Sequence, residues 1–423
     1  MLIDCGISLR GIDRVFKLLN QDRSPTTPSF TGIRKWLGRI GIYELKREKE
    51  YRNDWIFIVD FTIELGKQKA LVVLGVSQQH FLEKVVSEQR GLSHSDVEIL
   101  GLEIMNSTKG ELIEQQLEKI SKRVGIPVQI VADNGSDLAR GIKLYQQKHP
   151  SLIYTHDVTH AMALILKNEL DSDDRYQSFI KECNICRQKL QQTELAFLAP
   201  PAQRSQCRYF NVERLTKWAT KLLSSSPETL MTLMPGYDLS IVTNRIIDKL
   251  GWLTGYELEL IKWGQMLLLT RNVETHLKKS GISDRSLDYF QKERTVFPDL
   301  AIEKFQQHIF KYLAIQSDKL KDGGTFLATS DVIESLFGKY KQFSARCPLK
   351  EMGQMILTIC LSTINLSTDF IKEALETTSF IDVEDWLNES FSRSTLSKRK
   401  ALFKGRLVAC KPRKRRHQSC MNF

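Results

Sequence analysis

No apolar run in this 423-residue chain approaches the length needed to cross a bilayer, which takes about 20 consecutive residues. Nor does its start show the charged-then-apolar pattern of a secretory signal. A membrane protein is therefore not expected, and a reducing cytoplasm, at the nucleoid, is the expected setting. Cysteine has no pattern. Of eight cysteines, only Cys183 and Cys186 form a Cys-x-x-Cys pair, inside a helical pattern and with no second pair, which argues against a zinc module or a disulfide framework. A phosphate-binding Gly-x-x-x-x-Gly-Lys loop is also missing. The stretch from Asp133 to Asp137 follows a strand but lacks the lysine, which disfavours an ATP-driven mechanism. Acidic residues are missing from one region altogether: from Arg393 onward there is no Asp or Glu.

That tail carries the whole formal surplus of +11. Met1 to Asn53 is also basic, so two positive ends flank a mildly acidic middle. Lys411, Arg413, Lys414, Arg415 and Arg416 in the tail suit phosphate contact, which releases counterions and makes affinity salt-dependent. Near the start, Ser8 and Ser29 each precede an amphipathic helix. The second has Ile33, Trp36, Leu37 and Ile40 on one face and leaves Arg34, Lys35 and Arg39 outside, as in a helix-turn-helix reader of duplex DNA. The intervening loop is longer than the usual tight turn, and a helical hairpin packed on the core fits nearly as well.

Between the basic ends the pattern changes to strands. Trp55 to Asp60 is a short run of large apolar and β-branched residues ending in a carboxylate. Lys69 to Val76 follows a Gly66-Lys67 turn as its hairpin partner. Val97 to Met105 makes a third strand, and Ser107-Thr108 with Glu111 marks a helix start. Val128 to Asp133 repeats the apolar strand ending in aspartate and turns into a helix. Leu152 to Asp157 is a fifth strand, again followed by a helix. Three antiparallel strands and then two parallel strands alternating with helices is the element order of an RNase H-like α/β sheet.

The chain resembles the DDE transposases of prokaryotic insertion sequences. The matching residues are Asp60 in FIVDFT, Asp133 in VADNGSD and Glu334 in SDVIESLFGKYK, and the resemblance spans roughly residues 50 to 365. A further match is Asp157-Val158-Thr159-His160, similar to the Asp-x-x-His signature of mutator-type transposases, with Asp157 and His160 as auxiliary residues. The resemblance implies metal-dependent strand cleavage at element ends, followed by transfer of the freed 3′-OH into target DNA. It implies two Mg²⁺ or Mn²⁺ ions held by Asp60, Asp133 and Glu334, with Asp60 shared. Hard cations take oxygen ligands, and two of them about 3.5–4 Å apart stabilise attacking and leaving oxygens together. Asp331, one turn before Glu334, is the substitute candidate. The partners implied are double-stranded DNA, as terminal inverted repeats and as target, and a second copy of the chain in a dimer or higher oligomer. A structure-selective nuclease of the same fold and a catalytically silent DNA-binding relative are the alternatives.

The interval from Asp133 to Glu334 is nearly three times that from Asp60 to Asp133, so something is inserted. Residues 171–325 read almost entirely as helices. Trp218, Trp252 and Trp263 lie there at helical spacing, which reads first as core and second as a platform for an unpaired base. The expected organisation is a helical DNA-binding region at 1–50, the catalytic core at 51–170 and 326–392, an all-helical insertion at 171–325, and a flexible basic tail at 393–423.

Overall fold

The structure, a computed structural model, describes residues 6–20, 27–203, 208–226, 238–320, 323–346 and 349–403, with 229, 232–234 and 236 between them. The tail residues Lys411, Arg413, Lys414, Arg415 and Arg416 lie outside the described residues. Helices α1 (Leu9–Leu19) and α2 (Phe30–Lys46) come first, and the hydroxyls of Ser8 and Ser29 accept from Gly11 N at 3.0 Å and Gly32 N at 3.1 Å. Strands β1 (Trp55–Ile63), β2 (Lys69–Ser77) and β3 (Glu98–Met105) follow. Then come α3 (Gly110–Val124), β4 (Gln129–Ala132), α4 (Ser136–Lys148), β5 (Ile153–His156) and α5 (Val158–Asp171).

The five strands form one sheet in the order β3-β2-β1-β4-β5. The β1–β2 and β2–β3 pairs are antiparallel, and β4 runs parallel to both β1 and β5. This is the RNase H-like arrangement. The strands read as continuous apolar runs because both faces are covered. Ile56, Ile58, Val72 and Leu74 pack with residues of α2 and of a late helix, whereas Phe57, Val59 and Val73 pack against Ile113, Leu117 and Ile142 of α3 and α4.

The insertion is helical, as expected: α6 (Asp174–Leu190), α7 (Arg208–Leu223), α8 (Leu239–Leu250), α9 (Glu257–Ser280), α10 (Ser286–Lys292) and α11 (Leu300–Ser317). It has its own core around Trp263, Phe179 and Phe305, and α5 shares that core through Val158, Met162, Leu166 and Leu170. Trp263 is fully buried and donates to Asp173 Oδ2 at 2.9 Å; Trp218 and Trp252 pack beside it among Phe179 and Tyr256 and bond to carbonyls. Trp263 is core, as the spacing suggested, and Trp218 and Trp252 pack half-buried against the same core. Cys183 and Cys186 are buried in the same core, where burial pushes both thiols up. The chain then returns to the sheet with α12 (Asp331–Ser344), and the last described helices are α13 (Thr368–Thr377), α14 (Phe380–Ser390) and α15 (Thr395–Phe403).

Helix α2 is built into the body. Ile33, Leu37 and Ile40 pack with Leu361 and Ala374, and Ile42 and Leu45 reach the core beneath the sheet. At its end Glu44, with no exposed surface, pairs with Arg47 at 2.5 Å and with Lys49. Trp36, expected on the apolar face, is instead 43% exposed. Thr108, expected as a cap, donates to Asp137 Oδ2 at 2.6 Å, and Lys109 stands at the cap of α3 without a side-chain bond.

Gly125 ends α3 at φ +103°, where a Cβ would meet Arg52 O at 1.9 Å. Gly125→Ala therefore combines a left-handed conformation with a backbone clash. It should lower the unfolding free energy by more than about 1 kcal/mol, read as an earlier urea midpoint, whereas Gly264→Ala, with open space at its Cβ, should not.

Candidate active site

The last rung of the parallel ladder aligns Val59, Ala132 and His156 on β1, β4 and β5. The next residue on each strand is an aspartate: Asp60, Asp133 and Asp157. Parallel neighbours lie about 4.8 Å apart, so three carboxylates stand side by side at one end of the sheet. Side chains alternate along a strand, and these three share parity with Ile58, Val131 and Thr155, the face covered by α12. Asp60 does not end its strand. β1 runs three residues further, paired only with β2 (Asp60 opposite Val72), so Asp60 sits where β4 peels away and leaves a cleft.

Glu334 lies in the first turn of α12, with its side chain 46% exposed. It meets His160, near the start of α5, at 3.1 Å from Nε2 to Oε1, while His160 Nδ1 is 3.1 Å from Asp157 Oδ1. Burial and the carboxylates of Asp133 and Glu334 push the Asp60 carboxyl up to about 7, against a hydrogen bond from Phe61 N at 2.6 Å and the charge of His160. Glu334 is likewise raised by burial, with His160 opposing and Asp157 and Asp331 adding to the rise. His160 is raised to about 9, chiefly by its bond to Asp157 and then by the charges of Asp157, Glu334 and Asp133, although burial opposes. Asp60, Asp133, Asp157, His160 and Glu334 thus share one electrostatic neighbourhood. Among the described residues, no three His, Cys, Asp or Glu side chains already stand in a metal-holding arrangement; Glu334 is drawn toward His160. Asp331 is taken up elsewhere, accepting from Thr159 Oγ1 at 2.9 Å and pairing with Lys278.

Two buried polar side chains bring Glu334 back to the sheet after the long insertion. Gln129, the first residue of β4 and without exposed surface, acts as a piece of backbone: its Nε2 donates to Leu327 O at 2.7 Å and Thr155 Oγ1 at 2.6 Å, and its Oε1 accepts from Leu327 N at 3.0 Å. Asp157, 1% exposed, accepts from Ser330 N, from Ser330 Oγ at 2.9 Å and from Thr329 Oγ1 at 3.2 Å, while also capping α5 through His160 N at 2.7 Å. Ser330 is thereby unavailable as a side-chain cap for α12, and no capping box involving Glu334 forms. Sequence reading missed Gln129; the signal was a lone amide inside an apolar strand, VQIVAD.

Of the residues expected to touch DNA, Arg34 and Lys35 are exposed, Lys35 lying 4.5 Å from the Phe380 ring centre. Arg39 turns inward instead. Its guanidinium donates to Thr378 O at 2.6 Å and to Leu375 O, satisfying carbonyls that the end of α13 leaves free.

The Asp157–His160 pair links stability to pH. Burial would raise Asp157, yet bonds from His160 and Ser330 hold it below the usual carboxylate range. Its contribution is full above its unfolded value near 4 and is lost as pH falls through the lower folded value. The His160 contribution is full below its unfolded value near 6.5 and is lost as pH rises through about 9. Asp157→Asn should therefore lower stability at pH 7, flatten the loss between pH 7 and 10, and bring the His160 imidazole titration down by NMR; an unmoved titration would show that Asp157 does not set it.

No family model matches the chain, and no curated protein does. Among solved structures, the Drosophila P element transposase strand transfer complex is similar over 87% of this chain and 92% of that one, at 12% identity and a TM-score of 0.40.

Proposed function

We propose that the protein is a DNA transposase, a metal-dependent polynucleotidyl transferase acting on the ends of a mobile element. One observation carries this reading: Asp60 and Asp133 adjoin at the cleft between β1 and β4, and Glu334 acts on Asp60 electrostatically from the helix above. Asp133 and Glu334 both raise the Asp60 carboxyl, and carboxylate oxygens are the donors that Mg²⁺ or Mn²⁺ takes. Asp60, on which both of the others act, is assigned as the shared ligand, with Asp133 and Glu334 completing one site each. When bound, the two ions supply charge stabilisation at the attacking and leaving oxygens of the phosphodiester.

The chain's own residues do the rest. Asp157 fixes His160 by its Nδ1, so the imidazole presents Nε2 to the site. Glu334 joins the other carboxyls by leaving His160, and the imidazolium is then free to face a DNA phosphate. Water is the first nucleophile and the freed 3′-hydroxyl the second, so no covalent protein–DNA intermediate forms. DNA is held by Arg34 and Lys35 on the exposed side of α2 and by the tail lysines and arginines, with a second copy of the chain on the paired element ends. Arg39 has a structural task and is left out of the binding set.

Asp60→Asn, Asp133→Asn and Glu334→Gln should each lower Mg²⁺-dependent cleavage of element-end DNA by more than 10²-fold while changing duplex affinity less than about threefold, since the basic groups remain. Near wild-type cutting by any of them would remove that residue from the site. Joining of a pre-cut 3′-OH end to target DNA separates a transposase from a nuclease of the same fold, which would cut and not join.

Removing residues 404–423 should weaken binding to all duplexes alike and flatten its salt dependence, because lysine and arginine contacts to phosphates carry no sequence information. Arg34→Ala with Lys35→Ala should instead narrow the preference for element ends over scrambled duplex in a gel shift at two salt concentrations. If that preference survives, recognition lies elsewhere on the molecule.

A further inference from the structure

A groove leads away from the carboxylate cleft between α5 and α11. Its first part, about 900 Å³, opens on Asp133, Asp157 and His160. A second part, about 600 Å³, continues it, with Glu169 and His308 in the walls of both. Along α11, Lys304, His308, Lys311 and Ile315 fall at helical spacing on one exposed stripe facing this groove. The two lysines make no ion pair or hydrogen bond among the described residues, although the surface around them carries many paired charges. The opposite wall, α5, offers Leu164, 53% exposed, with Ile165 beside it; Ile315 on α11 is 47% exposed. Glu169 at the rim is the one carboxylate away from the catalytic end.

At the catalytic end the groove is lined by Gln316, itself 1% exposed. Its Oε1 accepts from His156 N at 3.0 Å and from Lys319 Nζ at 3.2 Å, which fixes the amide orientation. Its Nε2 is therefore a donor, and it is buried without a partner. An unpaired buried donor costs free energy that an acceptor in the groove would recover.

We propose that this groove binds an unpaired polynucleotide strand continuing from the scissile phosphate, with the backbone along Lys304, His308 and Lys311 and the bases against Leu164, Ile165 and Ile315. The proposal rests on the transposase reading for which strand occupies the groove, but the groove's affinity for single strands stands apart from catalysis. Charge complementarity selects the occupant. Free lysines on α11, with exposed aliphatic side chains on α5 and at Ile315 where α11 nears the carboxylates, match a strand that is anionic along its backbone and apolar at its bases. Lys304 and Lys311 are about 10 Å apart along the helix axis, so they can meet different phosphates of one strand. A duplex would bring two backbones and keep its bases stacked inside, which leaves the aliphatic wall without a partner.

The test uses the full chain, without divalent metal, and a fluorescein-labelled 12-nucleotide oligothymidylate. Lys304→Ala/His308→Ala/Lys311→Ala should weaken single-strand binding at least tenfold and reduce the salt slope by about 1.4, the value for two lost phosphate contacts on a single strand, while duplex affinity falls less than threefold. Ultraviolet cross-linking of a 4-thiothymidine oligonucleotide, with peptides read by mass spectrometry, should label residues of α5 or α11. Leu164→Asp, exposed and so tolerated by the fold, should weaken the same binding without removing a cation. Unchanged single-strand affinity in the triple variant, or cross-links confined to other elements, overturns the proposal. If the triple variant loses single-strand binding and the wild type neither cuts nor joins DNA, the groove stands and the transposase reading falls. The reverse pair of results leaves transposition standing without the groove.

Discussion

The carboxylate end of the sheet depends on the grip of two buried side chains, Gln129 and Asp157, on the segment from Leu327 to Ser330. Gln129 opens β4, and Asp157 follows the end of the neighbouring β5 as the cap of α5. Between them they take up the backbone groups of Leu327 and Ser330 and the hydroxyls of Thr329 and Ser330. The segment is thereby tied beside β5 as if it were a further strand, and α12 starts at a fixed place above the aspartates. Buried polar groups at such a junction are costly when unsatisfied and specific when satisfied. An apolar residue at 129 would leave Leu327 N and O facing a hydrocarbon wall, with a penalty of about 1–3 kcal/mol for each group.

The same aspartate works in two directions. Toward α12 it accepts hydrogen bonds, and toward α5 it caps the helix and holds His160. The imidazolium in turn draws Glu334. Asp157 is therefore a positioning residue for the glutamate through two separate routes, one through backbone and one through charge. The contrast with Glu44 is instructive. That carboxylate is just as buried, but Arg47 and Lys49 neutralise it fully and Arg47 bridges on to Glu98, so it has no charge left to offer a ligand. At the sheet end, acids outnumber the one histidine, and the surplus negative charge faces the cleft.

Much of this was legible in the sequence. Strand periods, the two serine caps near the start and the helical character of the insertion were readable because local propensity and burial agree there. The aspartates at 60, 133 and 157 were readable because each follows an apolar run. What was not legible depends on contacts between residues far apart in the chain. Arg39 looks like a free cation on a helix surface until α13 ends against it. Trp36 has the right spacing for the core, yet the helices that cover α2 leave that position open. The continuation of β1 past Asp60 is fixed by β2, and its partner strand β4 stops a residue earlier; no local pattern encodes that mismatch, although it opens the cleft.

The size of the insertion is less of a burden than its length suggests. Loop-closure entropy grows only with the logarithm of length, about 0.6 kcal/mol per doubling, so a long excursion between β5 and α12 is tolerated if its ends are pinned close together. They are. Val158 N donates to Ala328 O at 2.8 Å, and Ile282 and Phe326 exchange backbone bonds of 2.8 Å each. Helix α5 then serves two cores, placing His160 at the cleft with its first turn while Met162, Leu166 and Leu170 anchor the insertion. A helix fixed at both ends in this way sets the direction of the groove it lines, so the insertion's packing and the approach to the carboxylates are one geometric problem.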